Sequence, residues 1–104
     1  MVLVVMKWDV HPDKVEAYLK WTESAIKRTL AAPGVVEFRA YRPVTGASQV
    51  AVTCEFADLA TWAAWYGNED VQKVLNELRT LALNVTMELR SPSLAVPAPI
   101  RPGG

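Results

Sequence analysis

Cysteine and histidine are nearly absent from this 104-residue sequence, and each shortage excludes a class of site. The single cysteine, Cys54, has no partner for an internal disulfide, which fits a reducing compartment and predicts a cytoplasmic protein. The single histidine, His11, has no cysteine or carboxylate cluster beside it, so we expect no metal site. The sequence also lacks a glycine-rich phosphate loop and a pair of carboxylates within one segment.

An excess of one charge and long apolar runs are missing as well. The 11 basic residues balance the 11 acidic residues, so we expect neither nucleic acid nor an anionic membrane as a partner. No segment approaches the roughly 20 apolar residues of a membrane-spanning helix. The apolar start, Met1–Met6, lacks a basic region and a cleavage site, so we do not expect a signal peptide. Hydrophobic residues still form 51% of the chain, enough to bury a core.

The apolar pattern predicts the element order strand, helix, strand, strand, helix, strand. Strands with alternating apolar residues are predicted at Val2–Asp9, Val35–Arg42, Gln49–Phe56 and Asn84–Arg90. A first helix is predicted from Asp13 to Ala32, and its apolar stripe comprises Val15, Tyr18, Leu19, Ile26 and Leu30, with Thr22 completing it. The second helical region is predicted at Leu59–Tyr66, capped by Asp58, and continues in a helical run from Glu69.

This order predicts an α+β domain of the ferredoxin-like βαββαβ type. Right-handed crossovers place the helices on one face of a four-stranded antiparallel sheet. We expect the domain to span residues 1–90. The tail, residues 91–104, holds four prolines and no helix or strand pattern, so it is either disordered or lies along a partner subunit.

Strand alternation divides the predicted sheet into two different faces. The face toward the helices is apolar and includes Val4, Met6, Trp8, Val36, Phe38, Ala40, Val50, Val52, Cys54, Val85, Met87 and Leu89. The reverse face is mixed, with Leu3, Val5, Val35, Ala51 and Tyr41 beside the charges of Lys7, Glu37, Arg39, Glu55 and Glu88. A mixed face can meet water, or it can meet its own image across a two-fold axis, and alternation alone leaves both open.

Three segments carry a resemblance to a known family. They are the opening strand VLVVMKWDV, the helix PDKVEAYLKW, and PGVVEFRAYRPVTGASQVAVTCEFADLATWAAW, in which Glu55-Phe56-Ala57-Asp58 precedes Trp62. From Val2 to Arg90 the pattern resembles the antibiotic-biosynthesis-monooxygenase type of dimeric α/β barrel. The resemblance implies a homodimer whose two sheets face each other, and a pocket in each subunit between sheet and helices. It therefore favours a dimer interface on the reverse face.

Four aromatic residues are candidates for the walls of that pocket: Trp8, Trp62, Trp65 and Tyr66. Trp8 ends the first strand on the helix side, and Trp62 and Trp65 lie three residues apart on one short helix. Aromatic walls suit a flat, apolar or aromatic small molecule, although the same residues also serve ordinary core packing. Trp21, at the edge of the first helix's stripe, is expected at an interface or the surface.

His11 and Arg42 are the candidate catalytic residues. His11 is the natural general base near neutral pH if it lies at a pocket mouth, and otherwise a solvated loop residue beside Pro12. Arg42 ends a strand on the helix side, where an arginine can bind a carboxylate or stabilise an enolate; the alternative is an exposed strand end. Cys54 alternates inward, and a thiol buried in apolar surroundings is inert.

The resemblance implies a monooxygenase that needs no cofactor and acts on an electron-rich aromatic such as a polycyclic phenol. In this chemistry the anion of the substrate itself reduces dioxygen. The alternative is a non-catalytic dimer that binds or senses a small molecule. Related barrels degrade haem with a first-strand asparagine, a tryptophan and a second-helix histidine. The first strand here has no asparagine and the second helical region has no histidine, so we do not expect haem breakdown.

Overall fold

The four strands form one antiparallel sheet in a computed structural model that describes residues 1–103. The strands are β1 (Val2–Val10), β2 (Glu37–Tyr41), β3 (Val50–Phe56) and β4 (Ala82–Arg90), in the spatial order β2-β3-β1-β4. The helices are α1 (Val15–Ala31), α2 (Leu59–Tyr66) and α3 (Glu69–Leu81), and a single 3₁₀ turn at Pro12–Lys14 precedes α1. The predicted α+β ferredoxin-like fold is confirmed.

Strand register confirms the predicted division of the sheet into two faces. Val4 pairs with Cys54 on β3 and with Leu89 on β4, and Met6 pairs with Val52. Antiparallel partners share a face, so these alternating apolar side chains cover one side of the sheet. The helices pack on that side, where Val4 is 1% exposed and Phe56 is fully buried.

Two side-chain caps position the helices that follow β3. Asp58 Oδ1 accepts a hydrogen bond from Thr61 N at 2.8 Å, which confirms the predicted cap of α2. Hydrogen bonds from the Thr61 side chain and backbone lower the pKa of Asp58. Asn68 Oδ1 accepts from Asp70 N and Val71 N and so begins α3. The caps satisfy N–H groups that have no partner within the helix.

The predicted orientation of α1 is wrong for most of its apolar stripe. Leu19 is 64% exposed, and Val15, Ile26 and Leu30 are also exposed. The buried face holds Tyr18 from the predicted stripe together with Ala25, and Thr22 and Thr29 on the same face are half-buried. The small side chains of Thr22, Ala25 and Thr29 let the helix lie over the sheet without filling the space between the two.

The strand prediction is also too long at β2. The ladder begins at Glu37 and ends at Tyr41, so Arg42 lies beyond it. Val36, predicted to face the helices, is exposed, whereas Val35 packs against the core. A glycine turn precedes the ladder: Gly34 has a φ of +120°, and a Cβ there would lie 2.8 Å from Thr61 Cγ2. The chain therefore passes close to α2 in this turn, before the β2 ladder begins.

Residues 91–103 follow β4 without forming a helix or a strand. Leu94 and Ile100 in this segment are exposed. Within residues 1–103, no helix combines the length and hydropathy needed to cross a bilayer.

Candidate ligand pocket

A cavity of about 210 Å³ lies between the helices and the apolar face of the sheet. The sheet contributes Met6, Trp8, Phe38, Ala40, Val50, Val52 and Cys54. α1 contributes Tyr18, Trp21, Thr22, Ala25, Ile26 and Thr29, and the remaining lining residues are Trp65, Val71, Val74, Leu75 and Leu78. None of these lining residues carries a charged side chain, so the cavity suits an apolar molecule.

The small residues of α1 account for the empty space. Thr22, Ala25 and Thr29 follow one another at helical spacing and line the cavity. Facing strand residues such as Val50 and Val52 are too short to reach across. A larger apolar residue at position 25 would close this space, as tight packing does in most protein interiors.

Indole N–H groups around the cavity bond to neighbouring protein groups. Trp8 Nε1 donates to the Tyr18 hydroxyl at 3.2 Å, and Trp65 Nε1 donates to the Thr29 carbonyl oxygen at 3.2 Å. The first bond joins β1 to α1 and the second joins α2 to α1, so both tryptophan rings are held at the cavity wall.

A third tryptophan belongs to an ionic network that joins α1 to α3. Trp21 Nε1 donates to Glu77 Oε1 at 2.7 Å, and the guanidinium of Arg28 binds both oxygens of the same carboxylate at 2.9 and 2.7 Å. The hydrogen bonds from Arg28, and then the one from Trp21, lower the pKa of Glu77 from its usual value to about 2. The network orients the Trp21 ring toward the cavity.

The four predicted wall residues divide into two pairs. Trp8 and Trp65 line the cavity, while Trp62 and Tyr66 lie outside its lining and stack on each other with ring centroids 5.3 Å apart. Trp62 Nε1 is buried and has no hydrogen-bond partner among residues 1–103. A substrate-binding role for these four residues stays a prediction.

His11 and Arg42 both lie outside the cavity lining. His11 Nδ1 accepts a hydrogen bond from Asp13 N at 3.1 Å, and the backbone N of His11 donates to the Leu81 carbonyl oxygen. Arg42 is exposed beyond the end of β2. Catalytic roles for these two residues stay predictions.

Cys54 lines the cavity as a neutral thiol. Burial raises its pKa to about 11, as predicted for a thiol in apolar surroundings. Among residues 1–103, no three histidine, cysteine or acidic side chains lie close enough together to hold a metal ion.

Sequence reasoning missed the contribution of α1 to this site. Tyr18 and Thr22 belong to the predicted stripe of this helix and Trp21 is predicted at an interface or the surface, and all three line the cavity. The missed signal is that the small residues Ala25 and Thr29 continue the face of Tyr18 and Thr22 at helical spacing.

Comparisons with known proteins agree on the fold. The family model described as antibiotic biosynthesis monooxygenase matches residues 1–77. A DABB-family protein with a ferredoxin-like fold from Mesorhizobium loti superposes with a TM-score of 0.78 at 17% identity, covering 88% of this chain and 96% of its own. A structure described as an antibiotic biosynthesis monooxygenase has a TM-score of 0.73 at 13% identity, and the match covers 89% of this chain and 99% of that protein.

A dimeric ferredoxin-like protein of unknown function from Thermobifida fusca is similar as well. Its TM-score is 0.71 at 11% identity, and the match covers 86% of this chain and 88% of that protein. No curated protein shows significant sequence similarity to the chain. At these identities the solved structures show a shared fold.

Proposed function

The chain belongs to the antibiotic biosynthesis monooxygenase family, and from this premise we propose that it is a cofactor-independent monooxygenase of a small aromatic phenol. The observation that carries the proposal is the apolar cavity between α1 and the sheet, walled by Trp8 and Trp65. In the proposed reaction the electrons that reduce dioxygen come from the substrate itself. The protein therefore supplies a pocket that excludes water and fits the substrate.

The size of the cavity limits the substrate. An apolar cavity of about 150 Å³ holds a benzene molecule, and this cavity measures about 210 Å³. We therefore propose a substrate of one or two fused rings, smaller than the polycyclic phenols that the resemblance suggests. The exposed Ile26 at the lining marks the side through which such a ring enters.

The proposed reaction balances with dioxygen alone. A phenol and dioxygen give a quinone and water. One oxygen atom becomes the second carbonyl of the quinone, and the other leaves as water with the hydroxyl hydrogen and the hydrogen of the attacked ring carbon. All the electrons that reduce dioxygen come from the ring, so no external reductant enters the balance.

Oxygen uptake tests the proposal. With α-naphthol as substrate, an oxygen electrode should record uptake above the buffer rate, and chromatography should find the naphthoquinone. Ala25→Leu, which fills the cavity, should abolish the uptake. Ala17→Leu places the same side chain on the exposed side of α1 and should leave it unchanged. Uptake at the buffer rate with a panel of one- and two-ring phenols would exclude the oxygenase.

One observation favours a second candidate, a non-catalytic binding or sensor protein. No charged side chain lines the cavity, and His11, the natural base, caps the turn before α1. A pocket of this kind can retain a ligand without ionising it. Binding of α-naphthol without oxygen uptake would support the binder over the enzyme.

We further propose that the reverse face of the sheet forms a homodimer interface. The dimeric description of the Thermobifida fusca structure supports this. Tyr41 is half exposed on this face, Arg39 donates to Glu37 at 2.6 Å, and Arg90 donates to Glu88. These two pairs are already formed within one subunit, and Lys7 and Glu55 on the same face carry opposite charges that can pair across a two-fold axis.

Native mass spectrometry tests the dimer. The expected species has twice the 11.5 kDa mass of one chain. Thr53→Glu places a new carboxylate in the middle of β3 on this face, opposite Arg39, whose guanidinium already binds Glu37, and should shift the population toward the monomer because the excess carboxylate is costly to bury. Val44→Glu adds the same charge to an exposed loop and should keep the dimer. A monomeric wild type at micromolar concentration would contradict the interface.

A further inference from the structure

The Tyr18 hydroxyl is a buried polar group at the wall of a mostly apolar cavity. The residue is 8% exposed, and its side chain lines the cavity beside Trp8. The Trp8 indole N–H donates to the hydroxyl oxygen at 3.2 Å. This bond occupies one lone pair of the oxygen and fixes the position of the hydroxyl.

The proton of this hydroxyl has no acceptor among the described residues 1–103. A tyrosine hydroxyl can donate one hydrogen bond and accept others, and here it only accepts. No hydrogen bond from Tyr18 to an acceptor forms among residues 1–103. Buried donors are almost always paired, by protein, by water or by a ligand.

Other polar groups of the cavity are already engaged or are more exposed. Trp21 and Trp65 donate to Glu77 and to the Thr29 carbonyl oxygen, and the Thr22 hydroxyl donates to the Leu19 carbonyl oxygen. The Thr29 hydroxyl belongs to a half-buried residue. The Tyr18 proton is therefore the donor best placed to meet a molecule inside the cavity.

We propose that Tyr18, held by Trp8, donates a hydrogen bond to an acceptor oxygen of the ligand. The site then selects one- or two-ring aromatics that carry a phenolic, enolic or ketone oxygen over hydrocarbons of the same shape. The inference rests on the proposed use of this pocket and does not depend on oxygen chemistry. If the substrate ionises, the same donor stabilises the charge that develops on its oxygen.

A matched ligand pair tests the anchor. Tyr18→Phe should weaken α-naphthol binding by about three- to tenfold, the usual effect of losing one hydrogen bond, and should leave α-methylnaphthalene binding unchanged. Tyr41→Phe removes a hydroxyl from a tyrosine on the reverse face of the sheet, outside the cavity lining, and should change neither affinity. An equal effect on both ligands, or no effect on either, overturns the proposal.

A measurement on the wild-type protein covers the case in which Tyr18→Phe does not fold. α-Tetralone carries a ketone oxygen and no donor, so its carbonyl stretch in the infrared reports on hydrogen bonds that it accepts. A stretch below its frequency in hexane that persists in Thr29→Val supports donation by Tyr18, and the hexane frequency overturns it. Binding that depends on Tyr18 but is not accompanied by oxygen uptake would refute the monooxygenase proposal and support the role of Tyr18. A wild-type protein that binds none of the three ligands would overturn both proposals.

Discussion

Replacing Ala25 by leucine should fill the cavity and stabilise the fold. Ala25 is 5% exposed and lines the cavity from the middle of α1. Leucine is a good helix former, so the substitution costs the helix little. Its added carbons enter space that no protein atom occupies, and they contact side chains of β1 and β3 that now face a void.

The expected magnitude follows from the added apolar volume. Leucine adds three carbon atoms to alanine, and burying each CH₂ group contributes about 0.8 kcal/mol, which sets an upper limit of roughly 2 kcal/mol. Imperfect packing and lost rotamer freedom reduce this gain. We expect the free energy of unfolding to rise by about 1 kcal/mol. Ala17→Leu, on the exposed side of α1, should change it by less than about 0.5 kcal/mol.

Urea unfolding and ligand titration together check this prediction. Tryptophan fluorescence reports both, because Trp8 and Trp65 line the cavity. Ala25→Leu should move the unfolding midpoint to higher urea with an unchanged slope. The same variant should bind α-naphthol at least about tenfold more weakly, a loss of about 1.4 kcal/mol.

Two results would refute the reasoning. A loss of more than about 1 kcal/mol of stability in Ala25→Leu would mean that the substituted core is overpacked and that the space does not exist. A stable variant that still binds α-naphthol with wild-type affinity would mean that the ligand occupies another place. Both results differ from the case in which the protein binds α-naphthol as expected but takes up no oxygen.

Three further predictions concern the buried core, the ionic network between α1 and α3, and the N-terminal cap of α2. Phe56→Ala should cost about 3–5 kcal/mol in urea unfolding because Phe56 is fully buried against Trp65. The lowered pKa of Glu77 stabilises the fold fully above about pH 4.5, and this stability falls as pH drops toward 2. Its side chain is 42% exposed, so Glu77→Gln should cost only about 1 kcal/mol at pH 7 and flatten the acid branch. Asp58→Ala should cost about 1 kcal/mol through loss of the α2 cap, and Asp58→Asn, which keeps an acceptor oxygen, should cost much less; an equal loss in both would argue against a specific cap.

The strands were predictable because their signal is local. Alternation alone assigned Val4, Met6 and Trp8 to one face, and the register places them there. A residue two positions along a strand returns to the same face whatever the rest of the chain does. The caps are local for the same reason, since Asp58 and its donor Thr61 lie three residues apart.

The rotation of α1 was not predictable from the periodicity of its large apolar residues. Leu19 and Ile26 have the size and polarity of core residues, yet they are exposed, and Ala25 is buried. The contacts that orient the helix join residues far apart in sequence. Trp21 and Arg28 bind Glu77 on α3, and Tyr18 binds Trp8 on β1. A buried helix face that is predicted from residue size alone takes no account of these distant hydrogen-bond partners.

The order of elements, the faces of the sheet and the family follow from the sequence by itself, because they depend on local pattern repeated along the chain. The cavity, its hydroxyl anchor and the exclusion of His11 and Arg42 from its wall depended on tertiary structure. A cavity is the space that small residues on one element leave when longer-range contacts hold that element at a given distance from another. That distance is a property of the packed molecule, and no single segment encodes it.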